Sequence, residues 1–171
     1  MQSINNCLKE WNAVIEALGK GKQTFLIRFY KTNHDKFLLY PTFTYALKND
    51  FLEGFQDNYT DFVEKNAFPE KEGNKTLIKY YAKVEKIIIK PSSTIGGLHK
   101  YYIWTPDHVK SYLRGRTANI WVLRVYKLKK PYLAERTFGA IKYANLKESI
   151  PLDGKPVLSN SEFDEIVEKL K

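Results

Sequence analysis

The sequence predicts an α+β fold built on a mostly antiparallel or barrel-like sheet, with helices near both ends of the chain. Three observations carry this. Leu77–Lys90 and Asn119–Leu128 are dense in Ile, Val, Tyr and Trp, residues that suit a pleated, half-buried surface. Two sharp helix starts, Thr105-Pro106-Asp107 and Ser159-Asn160-Ser161-Glu162, lie outside those runs. A chain of 171 residues that is 43% hydrophobic has the length of one domain and enough apolar side chain for a core. No low-complexity linker divides it, so residues 1–171 read as a single domain.

Leu8, Trp11, Ile15 and Leu18 recur at helical spacing, predicting an amphipathic helix over 8–18 that ends at Gly19 or Gly21. Gln23–Tyr30 follows as a strand and Phe37–Tyr40 as a second, ending at Pro41. Residues 47–74 read as a helical insertion or covering layer, because Phe51, Phe55, Tyr59, Phe62 and Val63 fall near helical spacing among acidic side chains. After the strand 77–90, Gly96-Gly97 supplies a turn before a short strand over 100–104. Thr105 as N-cap, Pro106 at the first helical position and Asp107 against the dipole open a short helix near 106–114. Asn119–Leu128 is the strongest strand, stopped by Lys129-Lys130-Pro131, and a further strand is expected near 137–146. Ser159 and Glu162 have capping-box spacing, and the helix they open buries Phe163, Ile166, Val167 and Leu170. Trp121 and Phe138 are expected in the core.

The charge is segregated. Residues 1–74 carry 9 basic and 10 acidic side chains, residues 75–147 carry 16 and 3, and residues 148–171 carry 3 and 6, for a net charge of +9. One stretch therefore holds the whole surplus, at net +13, as expected of a surface that meets a polyanion. Aromatics interleave with its cations, as in Lys79-Tyr80-Tyr81, Lys100–Trp104 and Tyr126–Lys130. Cations track a phosphate backbone while aromatic faces stack on unpaired bases.

Other chemistries fit poorly. A lone cysteine, Cys7, excludes an internal disulfide framework and a cysteine-rich zinc site, and is expected to be a small buried apolar residue. His34, His99 and His108 form no metal-binding spacing and are expected on the surface, so neither metal nor cofactor is implied. Gly19-Lys20-Gly21-Lys22 lies between helix and strand, the reverse of the phosphate-loop order. Apolar runs such as Ile87–Ile89 are too short for a membrane helix. The N-terminus has no basic flank with a long apolar stretch, so a cytoplasmic protein is expected.

Two strands echo one another. Phe25–Lys31 matches Trp121–Lys127 position for position, each with a central arginine, Arg28 and Arg124. The pair either converges on one anion or is satisfied separately, by a carboxylate such as Glu10 or Glu85 or by solvent.

Leu8-Lys9-Glu10-Trp11, Gly21-Lys22-Gln23, Phe37–Thr42, Trp121–Tyr126 and Pro156–Ser159 with Glu162-Phe163 resemble blocks of an uncharacterised bacterial and archaeal domain-of-unknown-function family. The helix running into Gly21–Arg28 is also similar to the start of ASCH and other PUA-like domains. That likeness implies a PUA-like, partly open β-barrel and, in many such domains, binding of RNA or modified bases. It also implies an alternative, a metal-independent amidohydrolase acting on a modified nucleoside through Lys22, Thr24 and Glu85.

The sequence thus favours a nucleic-acid-binding protein, RNA ahead of DNA, and not an enzyme. Lys100, Lys110, Arg114 and Arg116 are expected on phosphates. Arg28, Tyr40, Trp104 and Arg124 are expected to line a pocket for a base or a terminal phosphate. A basic module that meets an acidic protein is the remaining alternative.

Overall fold

The structure, a computed structural model, describes residues 1–137 and 142–171. Phe138 and part of the strand expected near 137–146 lie outside the described residues. The strands are β1 (Ser3–Trp11), β2 (Phe25–Arg28), β3 (Lys36–Thr42), β4 (Lys71–Glu72), β5 (Lys75–Lys90), β6 (Ala118–Ala134), β7 (Tyr143–Pro151) and β8 (Lys155–Pro156). The helices are α1 (Asn12–Gly19), α2 (Thr60–Lys65), α3 (Pro106–Leu113) and α4 (Asn160–Leu170). One sheet runs in the order β2-β6-β5-β3-β1-β7, with β4 on β5 and β8 on β6. Among the described residues its end strands, β2 and β7, do not pair, so the sheet is open. Neighbours are antiparallel except β1 and β3, which are parallel.

Alternation along the strands separates two cores. On β3, Phe37 and Leu39 enter the main cluster under the helices, while Leu38 and Tyr40 face a smaller one with Cys7, Ile78 and Ile150. Cys7 is fully buried, and burial pushes its thiol up to about 12. Trp121 is likewise fully buried, with its indole N–H donated to the Tyr30 carbonyl at 2.9 Å.

The helix expected over 8–18 starts at Asn12. Residues 3–11 are strand instead, because β1 is held on both sides, by β3 and β7, and that pairing overrides the helical spacing of Leu8 and Trp11. Two prolines expected to stop strands lie within them. Pro41 sits on β3 beyond the last β5 pair, and Pro131 on β6 beyond the β8 pairs. Pro41 has a partner strand on one side only, and Pro131 falls in the register shift between the Lys127–Tyr80 and Tyr132–Ile78 pairs, two places where a missing N–H costs least.

Residues 92–101 form 3₁₀ turns, and the strand expected over 100–104 is reduced to one bridge between Trp104 and Phe55. The Gln56 amide ties this segment down by donating to the carbonyls of Tyr102 and Trp104, both at 2.8 Å. Residues 44–65 are short 3₁₀ turns followed by α2. They lay Tyr45, Phe55 and Val63 onto the main core as a covering layer.

Both helix starts read from the sequence are present. Thr105 Oγ1 accepts from the His108 amide at 3.0 Å. Ser159 and Glu162 complete a reciprocal capping box.

Candidate nucleic-acid interface

Where β1 and β2 end beside α3, the open sheet leaves a cleft of about 560 Å³, within the range of small-ligand pockets. Its floor is an ion pair. Glu10, on β1, is buried, and its Oε2 accepts from Arg28, on the last residue of β2. Glu10 Oε1 also accepts the Trp11 amide at 2.8 Å, and Arg28 Nη1 donates to the Ile27 carbonyl at 3.1 Å. Burial disfavours the Arg28 charge, but the Glu10 charge and hydrogen bond outweigh it and hold the guanidinium above its ordinary pKa.

Aromatic rings wall the cleft. Trp11 stacks on Tyr45 at 4.6 Å, and the Tyr45 hydroxyl is fixed by accepting from the Ala13 amide and donating to the Ala67 carbonyl. Trp104 and Tyr112 come from the α3 side, with Phe29 and Tyr30 just beyond β2. Burial pushes the Tyr112 hydroxyl up to about 12. His108 also lines the cleft, 5.5 Å from the Trp11 ring. Burial lowers its pKa, and the Glu10 charge only partly opposes this.

The rim is cationic. Lys142 lies 3.5 Å from the Tyr30 ring centroid, Lys71 3.9 Å from that of Phe43 and Lys9 5.9 Å from that of Tyr40. Arg136 also lines the opening.

The residues expected at the site separate into groups. Arg28, Tyr40 and Trp104 line the cleft. The Tyr40 hydroxyl donates to the Glu135 carbonyl at 2.8 Å and accepts from the Thr137 amide at 3.1 Å. Arg124 lies elsewhere. The register pairs Arg28 with Asn119 and Phe25 with Val122, so Arg28 shares a face with Trp121, and Arg124 projects from the opposite face. There it donates to the Leu158 carbonyl at 2.8 Å and Asn160 Oδ1 at 2.9 Å. The two arginines therefore do not converge on one anion.

Lys100, Lys110 and Arg114 are exposed on the 3₁₀ and α3 layer and do not line the cleft. Arg116 is occupied in closing α3, donating to the carbonyls of Leu113 and Tyr112, with its guanidinium 3.5 Å from the Phe29 ring centroid. Lys22, Thr24 and Glu85 form no hydrogen-bonded set. Lys22 lies over Phe62 at 5.3 Å, the buried Thr24 hydroxyl has no partner, and Glu85 pairs with Lys83 at 3.8 Å.

Sequence reasoning placed His108 on the surface and did not list Glu10, Tyr112, Lys71 or Lys142 as site residues. The available signal was the isolated Arg28 on an apolar strand, which required a carboxylate. Among the described residues no group of three His, Cys, Asp or Glu side chains could hold a metal ion, and no helix is long and apolar enough to cross a membrane.

The open α+β sheet with its helices is similar in fold to solved ASCH structures, that is, PUA-like. The ASCH protein of Zymomonas mobilis is similar at a TM-score of 0.50 and 12% identity, over 95% of this chain and 93% of that one. A serine-to-alanine variant of it gives a TM-score of 0.51 at 12% identity, over 96% and 94%. By sequence, the chain belongs to the family described as Domain of unknown function (DUF1802), matched over residues 7–169. Among curated proteins no significant match is found.

Proposed function

We propose that this protein binds nucleic acid, RNA ahead of DNA, seating one unpaired base in the cleft with the flanking phosphates on its cationic rim. The observation that carries the reading is the division of charge within the cleft. Its floor is a closed Glu10–Arg28 pair, a poor seat for a phosphate but a good one for a neutral polar ring. Its walls are the aromatic faces on which bases stack. Its mouth is lined by Lys9, Lys71, Lys142 and Arg136. A terminal phosphate at Arg28, the other occupant the sequence suggested, would have to displace or face the Glu10 carboxylate.

Fluorescence anisotropy of labelled single-stranded RNA, single-stranded DNA and duplex DNA at two salt concentrations tests this. The expected outcome is single-strand binding, stronger for RNA, whose log affinity falls against log salt with a slope of about −3 if four phosphates are engaged. Salt-independent binding, or none at low salt, would remove the proposal. Capture of an acidic protein that survives nuclease treatment would favour the interaction module instead.

A further inference from the structure

The cleft floor carries a hydrogen-bonding pattern that base stacking leaves unused. Arg28 spends one donor on Glu10 and one on the Ile27 carbonyl, out of the five N–H groups of a guanidinium. Each Glu10 oxygen accepts one bond, from Trp11 or from Arg28, and an ionised carboxylate has further lone pairs on both. Side-chain exposure is only 13% for Arg28 and 9% for Glu10. Both line the cleft, so their unused valences are accessible there. The floor therefore offers a charged donor beside two adjacent acceptors.

The edges of the four bases answer that pattern differently. Guanine carries two neighbouring N–H donors, at N1 and N2, with the O6 acceptor alongside. Adenine and cytosine each offer one amino donor and set a lone-pair nitrogen beside it, which would face a carboxylate oxygen. Uracil has one N–H between two carbonyls. Only guanine brings two donors to the carboxylate and an acceptor to the guanidinium without setting like against like. Charge-assisted bonds of this kind are the strong ones, and a low-dielectric floor penalises any left unmade.

Resting on the nucleic-acid reading above, we infer that the cleft selects guanine. Glu10 accepts from N1–H and N2–H, and Arg28 donates to O6. Trp104, just before α3, and Tyr112, in its last turn, line the cleft and supply its aromatic surface for the purine.

The test is anisotropy with a labelled nonauridylate whose central residue is uridine, guanosine, inosine, adenosine or cytidine. Guanosine is expected to bind about tenfold or more tightly than uridine, adenosine or cytidine. Inosine, which lacks only the 2-amino group, falls between. Glu10→Gln replaces one acceptor with a donor and is expected to bring guanosine binding down to the level of the other bases measured on the same variant. Equal binding of all probes, preference for another base, or a guanosine advantage that persists in folded Glu10→Gln would overturn the selection and leave the nucleic-acid reading standing. No binding of any probe at low salt would overturn both. The inosine probe needs no variant, so the test holds even where Glu10→Gln fails to fold.

Discussion

Arg28 and Arg124 sit in nearly the same local sequence, each midway through a matching seven-residue run, and do different work. Arg28, at the sheet edge, faces a carboxylate across an open cleft. Arg124, in the middle of β6, holds the chain entering α4 through the Leu158 carbonyl and the Asn160 side chain. The difference arises from register. β2 pairs with β6 so that the two arginines project from opposite faces, and a one-residue offset in pairing changes the face of every side chain. A local motif thus specified a buried guanidinium twice, and tertiary pairing decided what each one meets.

The largest expected effect separates the two arginines. Arg28→Met leaves Glu10 buried without its partner, which costs about 3–5 kcal/mol by the usual penalty for a half-removed buried pair, and it abolishes ligand binding. Pairing it with Glu10→Leu is expected to restore most of the stability but none of the binding, because apolar replacement of a buried pair is often neutral. Chemical denaturation with anisotropy on the same variants checks this. Recovery of both would show that the pair is structural only.

Arg124→Met should be milder. It removes the bonds to the half-buried Leu158 carbonyl and the exposed Asn160 side chain at a cost of about 1 kcal/mol and leaves RNA affinity unchanged. Loss of affinity in this variant with its fold intact would contradict the assignment of Arg124 to the opposite face. Ser159→Ala removes the cap of α4 for about 1 kcal/mol. Because Arg124 and Ser159 fix the same helix start, the double variant is expected to depart from additivity, which a denaturation cycle would read.

What the sequence revealed follows the same division between local and tertiary determinants. The starts of α3 and α4 were legible because Thr105, Pro106, Ser159 and Glu162 act on their own helices. The long strands β5 and β6 were legible from their β-branched and aromatic runs. Residues 8–11, the end of β1, read as the first turn of α1, because the partners that make them strand, β3 and β7, lie about 30 and 140 residues away in the chain. The site was half legible. Arg28, Tyr40 and Trp104 were singled out, but Glu10 was seen only as a partner for Arg28. Lys9 and Lys71 lie in the stretch whose net charge is −1, so averaging charge along the sequence concealed half of the rim. His108 was placed on the surface because a helix start explained its neighbours, and the packing of Trp11 against it is not a sequence pattern.

His108 gives the cleft a pH signature. Burial holds its pKa below the ordinary 6.5, against a partial pull from Glu10. The unfolded chain therefore binds a proton over a range where the folded protein does not, and stability falls as pH drops from about 6.5 through the folded value. Thermal melts between pH 8 and pH 5 should show that loss, and His108→Gln should flatten it. An unchanged slope in the variant would place the titration elsewhere.

The smallest effects decide between two cationic surfaces. Lys110 and Arg114 are exposed on α3 and beyond its end, outside the cleft, whereas Lys71 and Lys142 stand at its mouth. All four substitutions to alanine should change stability by less than about 0.5 kcal/mol, so stability cannot tell them apart. Salt dependence can. A lysine that neutralises a phosphate contributes about 0.7 to the slope of log affinity against log salt on a single strand, and removing it lowers the slope by that amount whatever the base sequence. Lys71→Ala and Lys142→Ala are each expected to do so, and Lys110→Ala and Arg114→Ala to leave the slope in place. The reverse pattern would move the strand onto the outer face of α3, where the segment's positive charge first pointed, and separate its path from the base cleft.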